Sequence, residues 1–267
     1  MNFNEICSRL RHFELEMTAD GVAELTIARP PVNAFSYEVY EDLEQLVSFF
    51  EQSEEVRSIV IGSKPDARAW SGGAELKEFL QLDHEKRLKR FEFLNVILPR
   101  FYHLPQVVIA GLNNHAVGVG FCLATLCDFR VAAETAFFSL PEIDRGVSMG
   151  GGFFFRLNLS QGLIREMILT GRRFTGEELR HTGLFNYVLP KDEVLPKARE
   201  LAGVMAAKSA RAVRATKGNM NRCELIVNWE ESFRSTQVSS ADLTAGSDSK
   251  EGIKAFLDKR EPTYAER

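Results

Sequence analysis

The sequence has little with which to build several common kinds of site. Only four cysteines occur among 267 residues: Cys7, Cys122, Cys127 and Cys223. None forms C-x-x-C, and none stands at metal-ligand spacing from one of the five histidines. A disulfide scaffold and a zinc module are therefore not expected, no metal site is expected, and reduced thiols fit a cytoplasmic location. Positive charge is not in excess either. The net charge is −4, so no basic face is expected to replace counterions along a nucleic acid. No stretch reaches the roughly 18 apolar residues of a membrane span, so no membrane partner is expected. The first twelve residues carry Glu5 and no long apolar run, which argues against a secretory signal and makes a poor transit peptide. Internal repeats and low-complexity segments are absent.

What is present reads as one large domain or two small ones, with up to roughly 75% of the unfolded chain's surface buried. The 20 phenylalanines, against 5 tyrosines and 2 tryptophans, suggest a Phe-rich core. Phe13–Met17 alternates apolar and charged residues as a half-buried strand does, Asp20-Gly21 marks a hairpin turn, and Val22–Ala28 resumes the alternation until Pro30-Pro31 stops it. Glu38–Phe50 has apolar residues at helical spacing. Ser58–Gly62 and Val107–Gly111 are short apolar runs typical of buried strands, and Ala74–Phe93 between them reads as one charged helix. Phe129–Ala133 and Ala136–Ser139 read as further strands, and Leu157–Leu169 and Gly176–Thr182 as helices. The pattern is a β-rich start followed by ββα-like units. From Leu195 to Arg260 the chain is helix-compatible, with no proline between Pro196 and Pro262. Asp248-Ser-Lys-Glu251 has capping-box spacing and predicts a last helix over 252–259. The expected division is 1–194 for the core and 195–267 for a helical region. In that region Ile226, Trp229 and Phe233 repeat at helical spacing and need a partner surface.

Three stretches can carry chemistry. Ser71-Gly72-Gly73 falls between a strand end and a helix, and Gly118-Val119-Gly120 precedes the apolar run Phe121–Leu126. Glycine lets a backbone approach a ligand closely, and a helix beginning after such a run presents free N–H groups suited to an anionic oxygen. Either run alone is also what an ordinary turn looks like. Glu142 sits between Pro141 and Ile143 after an apolar segment. Partial burial there would raise its pKa toward that of a proton shuttle; a surface glutamate at a strand end is the plainer reading. His115 lies seven residues before Cys122, a spacing open to a Cys–His pair, although Cys122 in an apolar helix start reads first as a packing residue. The run Glu85–Arg90 reads as a solvated helix face.

Taken together, Ala28–Ala34, Trp70–Glu78, Val107–Asp128, Ala136–Gly152 and Glu251–Pro262 resemble, in order and spacing, the motifs of the crotonase superfamily of enoyl-CoA hydratases and isomerases. The resemblance covers nearly the whole chain. It implies an α/β fold, a spiral of repeated ββα units with a C-terminal helical region, and an enzyme that binds an acyl-CoA thioester and stabilises its enolate. It implies no cofactor beyond the CoA of the substrate, and self-association as a trimer or hexamer through the 195–267 region. Residue by residue, it implies that the N–H groups of Gly72 and Val119 hold the enolate oxygen and that Glu142 is the acid/base. Pro31, Val32 and Ala34 would lie along the pantetheine and nucleotide path. Ser71, Gly73, Ala74, Leu76 and Gly118 would be further substrate contacts, and Phe256 and Lys259 would reach CoA from a neighbouring subunit. Phe79, Leu80 and Phe153–Phe155 are candidates for the acyl pocket.

The chain departs from the family's hydratase pattern at one place. Those hydratases use two glutamates twenty residues apart to hold water, and the residue twenty before Glu142 is Cys122. A thiol is a poor water-holding base at neutral pH. One remaining carboxylate resembles the family's enoyl-CoA isomerases. The acid of the dienoyl isomerases would fall at Gly150, which disfavours that branch. The expectation is therefore isomerisation. Hydration, carbon–carbon bond formation on the enolate, and a catalytically silent acyl-CoA-binding subunit are the alternatives.

Overall fold

The computed structural model describes residues 2–147, 156–224 and 246–264. Gly150, Phe153–Phe155, Ile226, Trp229 and Phe233 lie outside them, as does the side chain of Phe79. Two sheets organise the rest. Strands β1 (Phe13–Met17), β2 (Val22–Ile27), β3 (Ser58–Ser63), β4 (Val107–Leu112), β6 (Phe129–Ala133) and β9 (Tyr187–Leu189) form a six-stranded sheet in the order β1-β2-β3-β4-β6-β9. Only the β1–β2 hairpin is antiparallel, and Gly21 takes its turn at φ 81°. Short strands β5 (Ala116–Val117), β7 (Phe137–Ser139) and β8 (Phe174–Thr175) form a second sheet. From β4 to β7 the chain alternates between the sheets: β4 in the large one, β5 in the small, β6 in the large, β7 in the small. That alternation is the spiral. The continuous apolar runs of β3 and β4 are buried at every position, as parallel strands covered on both faces must be.

Helices cover the sheet. Helix α1 (Phe3–Arg9) opens the chain, and α2 (Tyr37–Gln52) starts at a Ser36 cap and buries Val39, Leu43, Leu46 and Phe50. The single helix expected over 74–93 is two, α3 (Leu76–Gln81) and α4 (His84–Tyr102). Asp83 accepts from the Lys86 N–H at 2.9 Å, and this cap restarts the helix where the apolar periodicity gave no warning. Helix α5 (Val119–Thr125) follows β5. Helix α6 (Gln161–Thr170) begins at a Ser160 cap rather than at Leu157, and α7 (Gly176–Leu179) is a single turn.

Helix α8 (Lys191–Ala206) runs through the expected 194/195 boundary. Val194, Ala198 and Ala202 are wholly buried, and α8 packs on β3, β4 and β6. The core therefore extends at least to Ala206, and composition misplaced its end. Helix α9 (Ala210–Cys223) is fastened by a buried Lys217, whose Nζ donates to Asp128 Oδ2 and to the Gln106 carbonyl, both at 2.7 Å. The last described helix spans Ser247–Asp258, so Asp248 lies in its first turn instead of at its cap. Glu251 binds Arg260 and the Thr263 N–H instead of closing a capping box. Among the described residues no helix is long and apolar enough to cross a membrane.

The Lys217–Asp128 pair yields the first prediction. Asp128 also accepts the Val108 N–H at 2.7 Å, so the pair joins helix, strand and loop. Lys217→Ala strands a mostly buried carboxylate and is expected to cost about 3 kcal/mol. A urea midpoint unchanged within error would show that the pair contributes nothing net.

Candidate active site

The site begins with Asn33. Its backbone sits at φ 52°, and its amide nitrogen donates to the Ala69 and Trp70 carbonyls at 2.9 and 3.3 Å. Ser71 Oγ returns a bond to the Asn33 carbonyl at 2.9 Å. These buried bonds clamp the 29–35 loop to the first glycine run. The first run is in turn stitched to the second. Trp70 and Ser71 both donate to the His115 carbonyl, and the Val117 N–H donates to the Ser71 carbonyl at 2.9 Å. Gly73 stands at φ 91°, and a Cβ there would lie 2.9 Å from the Val117 oxygen. Only glycine permits that approach.

Which N–H groups remain free follows from this pairing. Gly72 donates to the Val32 carbonyl at 2.7 Å, and Gly73 to Ser71 Oγ at 3.2 Å. Gly72 is therefore not an available donor, which corrects the role implied for it. Phe35 donates to the Gly73 carbonyl and accepts from the Glu75 N–H, at 2.7 and 3.0 Å. The residue between, Ala74, turns its N–H away from Phe35, and it finds no acceptor among the described residues. Motif spacing could not distinguish the two positions; the strand-like alternation does. On the second run the Gly118 N–H is spent on the Ser139 carbonyl at 2.9 Å. Val119 is the first residue of α5, so its N–H has no intrahelical acceptor, and it finds none among the described residues.

Glu142 meets these donors. It precedes the 3₁₀ turn Ile143–Arg145, and a Cβ on Gly118 would lie 2.9 Å from Glu142 Oε1. Its Oε2 is buried with no hydrogen-bond partner among the described residues. Burial pushes its pKa above the ordinary carboxylate value, against smaller opposing effects of a backbone hydrogen bond and Arg145. Cys122 is 4% exposed, and burial followed by the nearby Glu142 charge pushes its thiol well above the usual range. His115 does not pair with it. The imidazole Nδ1 accepts the Phe137 N–H at 3.0 Å and the ring stacks on Phe137. The arrangement can hold an oxygen that gains negative charge, with one proton carrier beside it.

The remaining expected contacts are spread more widely. Pro31 lines a cleft with Pro30, Asn33, Lys64, Asp66 and Arg68. Lys64 and Arg68 are cations that sequence reading passed over, because isolated surface charges carry no motif. Val32 serves through its carbonyl, and Ala34 is buried. Leu76 is half exposed and Leu80 almost fully so, which leaves Leu80 outside any enclosed pocket of the single chain. Phe256 and Lys259 face outward at the end of the last helix.

The fold is that of the crotonases. An enoyl-CoA hydratase from Mycobacterium smegmatis matches with a TM-score of 0.89 and 25% identity, over 96% of this chain and 99% of that one. One from Bacillus anthracis matches with a TM-score of 0.89 and 27% identity, over 95% and 99%. The profile described as enoyl-CoA hydratase/isomerase matches residues 17–267. YngF of Bacillus subtilis, named for enoyl-CoA hydratase/isomerase, is 32% identical over 92% of this chain and 95% of its own length. The 2,3-dehydroadipyl-CoA hydratase of Escherichia coli is 34% identical over 91% and 94%. The chain belongs to the enoyl-CoA hydratase/isomerase family of acyl-CoA enzymes.

The state of Glu142 has a consequence for stability. A carboxyl whose folded pKa lies above its unfolded value holds more protons in the native state, so stability falls as pH rises from the unfolded pKa through the folded one. Glu142→Gln removes that ionisation cost. The variant should melt above the wild type at pH 7, and the difference should shrink at pH values below the ordinary carboxylate range. A variant less stable than wild type at pH 7 would contradict the desolvated carboxylate.

Proposed function

We propose that the protein is an enoyl-CoA isomerase that works with one proton carrier. The observation carrying this reading is the pair at positions 122 and 142: a buried neutral thiol beside a single carboxylate with a raised pKa. Glu142 removes a proton from C2 of a 3-enoyl thioester. The C–H electrons form a C1–C2 double bond, the carbonyl π electrons move onto the thioester oxygen, and the C3–C4 double bond stays in place, so the dienolate charge rests on that oxygen. The N–H groups of Ala74 and Val119 hold that oxygen, each worth about 3 kcal/mol. Glu142, now protonated, returns the proton to C4: the C3–C4 π electrons take it, the C1–C2 pair becomes the C2–C3 double bond, the carbonyl re-forms, and the product is a 2-enoyl thioester. No water is consumed, so no second carboxylate is needed.

The cleft lined by Pro31, Lys64 and Arg68 suits the nucleotide end of CoA, with the two cations near its phosphates. Phe256 and Lys259 of a neighbouring copy would complete the CoA site in a trimer or hexamer, and no further cofactor is required. The second reading, hydration, draws on the relatives, whose names mostly say hydratase. It would require Glu142 and backbone groups to position water without a second acid.

Two measurements separate these readings. The wild type should isomerise a 3-enoyl-CoA faster than it hydrates a 2-enoyl-CoA, and Glu142→Gln should lose isomerisation by several orders of magnitude, roughly the contribution of a well-placed acid/base or more. Cys122→Glu should gain some hydratase activity. Hydration by the wild type that outpaces isomerisation would reverse the assignment.

The donor assignment has its own test. Proline at the first position of a helix is tolerated, and Gly118 at ψ −130° leaves room for the ring. Val119→Pro should therefore keep α5 while removing one N–H, and kcat should drop about 10²–10³-fold. Val119→Ala should change little. If a folded Val119→Pro enzyme matches the wild type, Val119 is not a donor.

A further inference from the structure

Arg90 breaks the expectation of a solvated face over Glu85–Arg90. Lys86 and Lys89 on the same helix have side chains 63% and 69% exposed, whereas Arg90 is 4% exposed. A guanidinium so buried persists only when paired and hydrogen-bonded. Its Nη1 donates to Glu78 Oε2 at 2.7 Å, its Nη2 donates to the Phe35 carbonyl at 3.2 Å, and it lies 5.2 Å from the centre of the Tyr40 ring. Glu78 in turn accepts the Tyr37 N–H at 3.0 Å.

The Phe35 carbonyl is the informative partner. It is the same oxygen that accepts the Glu75 N–H, while the Phe35 N–H holds the Gly73 carbonyl. Phe35 thus grips both neighbours of Ala74, and Arg90 grips Phe35. Through Glu78 it also holds residue 37 and the start of α3, on either side of that grip. The planar fork of a guanidinium can serve a carboxylate and a carbonyl at once in fixed directions, which a lysine ammonium cannot do.

We propose that Arg90 is a positioning residue for the reaction: acting through the Phe35 carbonyl and Glu78, it fixes the direction of the Ala74 N–H toward the thioester oxygen. The proposal rests on the reading of Ala74 as a donor. Tyr40 completes the setting, because its buried phenol lies within the fields of Arg90, Cys122 and Glu78. Arg90 touches no substrate. Its effect should appear in how strongly the bound carbonyl is polarised, since a donor held about 1 Å away from its productive place forfeits much of its contribution.

The test uses the full-length protein with butyryl-CoA labelled with 13C at the carbonyl. Two quantities are read: the downward shift of the bound C=O stretch, and exchange of the α-hydrogen in deuterated water. Wild type should show both. Arg90→Met should exchange roughly 10–100-fold more slowly, with a smaller carbonyl shift and a dissociation constant within about three-fold of wild type. Arg90→Lys should fall between, and Lys89→Met should match the wild type. Should Arg90→Met fail to fold, Glu78→Gln replaces it. That change keeps an acceptor for Tyr37 but removes the anion facing Arg90, and the same smaller carbonyl shift is expected. A folded Arg90→Met or Glu78→Gln with an undiminished carbonyl shift overturns the positioning role, whether or not exchange slows, and leaves the donor reading standing. A wild type that neither shifts the carbonyl nor exchanges overturns the donor reading and the role of Arg90 with it.

Discussion

The site depends on strand-like pairing among three short segments that belong to no long strand. Residues 33–35, 69–75 and 115–118 bond to one another through Asn33, Phe35, Ser71 and the His115 carbonyl. In such pairing consecutive N–H groups point to opposite sides. Gly72 faces inward to Val32, and Ala74 faces outward with no acceptor among the described residues. Two glycines are indispensable to it. Gly73 and Gly118, both at positive φ, let the two runs pass close to each other and to Glu142.

The rest of the fold keeps those segments in place. They follow the ends of β2, β3 and β4, and β3 and β4 are fully buried parallel strands covered by α8. A site mounted at the ends of such strands inherits their rigidity. The first run is also held from outside, by Arg29 bonding Glu75 and the Ala34 carbonyl and by Arg90 bonding Glu78 and the Phe35 carbonyl. The first run therefore has a backbone partner on one side and charged clamps on the other.

Much of this was legible in the sequence, for physical reasons that differ by element. Strands β1 and β2 were visible from their alternation, β3 and β4 because burial on both faces demands unbroken apolar runs, and α2 from its amphipathic spacing. Strands β5, β8 and β9 were missed, being two or three residues long and too short to show a period. The break before Asp83 was missed because a capping aspartate inside a charged run looks like one more surface charge. The 194/195 boundary failed because composition marks where helix-forming sequence begins, whereas the domain ends where burial stops. In the site, the structure brings Glu142 against Gly118 and places Val119 at the start of α5, while the Gly72 N–H is already paired and that of Ala74 is not. Spacing locates a run of residues, and only hydrogen-bond alternation says which member of the run is free. Arg90 was invisible for a related reason: nothing in Lys89-Arg90 reveals which of two adjacent cations points inward.

The carboxylate and the thiol finally explain each other. In a site with two carboxylates each ion raises the pKa of the other, and a shared proton or a bound water relieves the repulsion. Here the second position is a thiol that burial keeps neutral, so it adds no charge and a weak donor at most. Glu142 is left to be tuned chiefly by desolvation, with one oxygen unpartnered among the described residues and the other against Gly118. A lone carboxylate of that kind is basic enough to take a proton and unencumbered enough to hand it back at a different atom. It lacks the partner that would fix a water molecule in place. The same substitution that weakens the case for hydration thus strengthens the case for carrying one proton between two carbons.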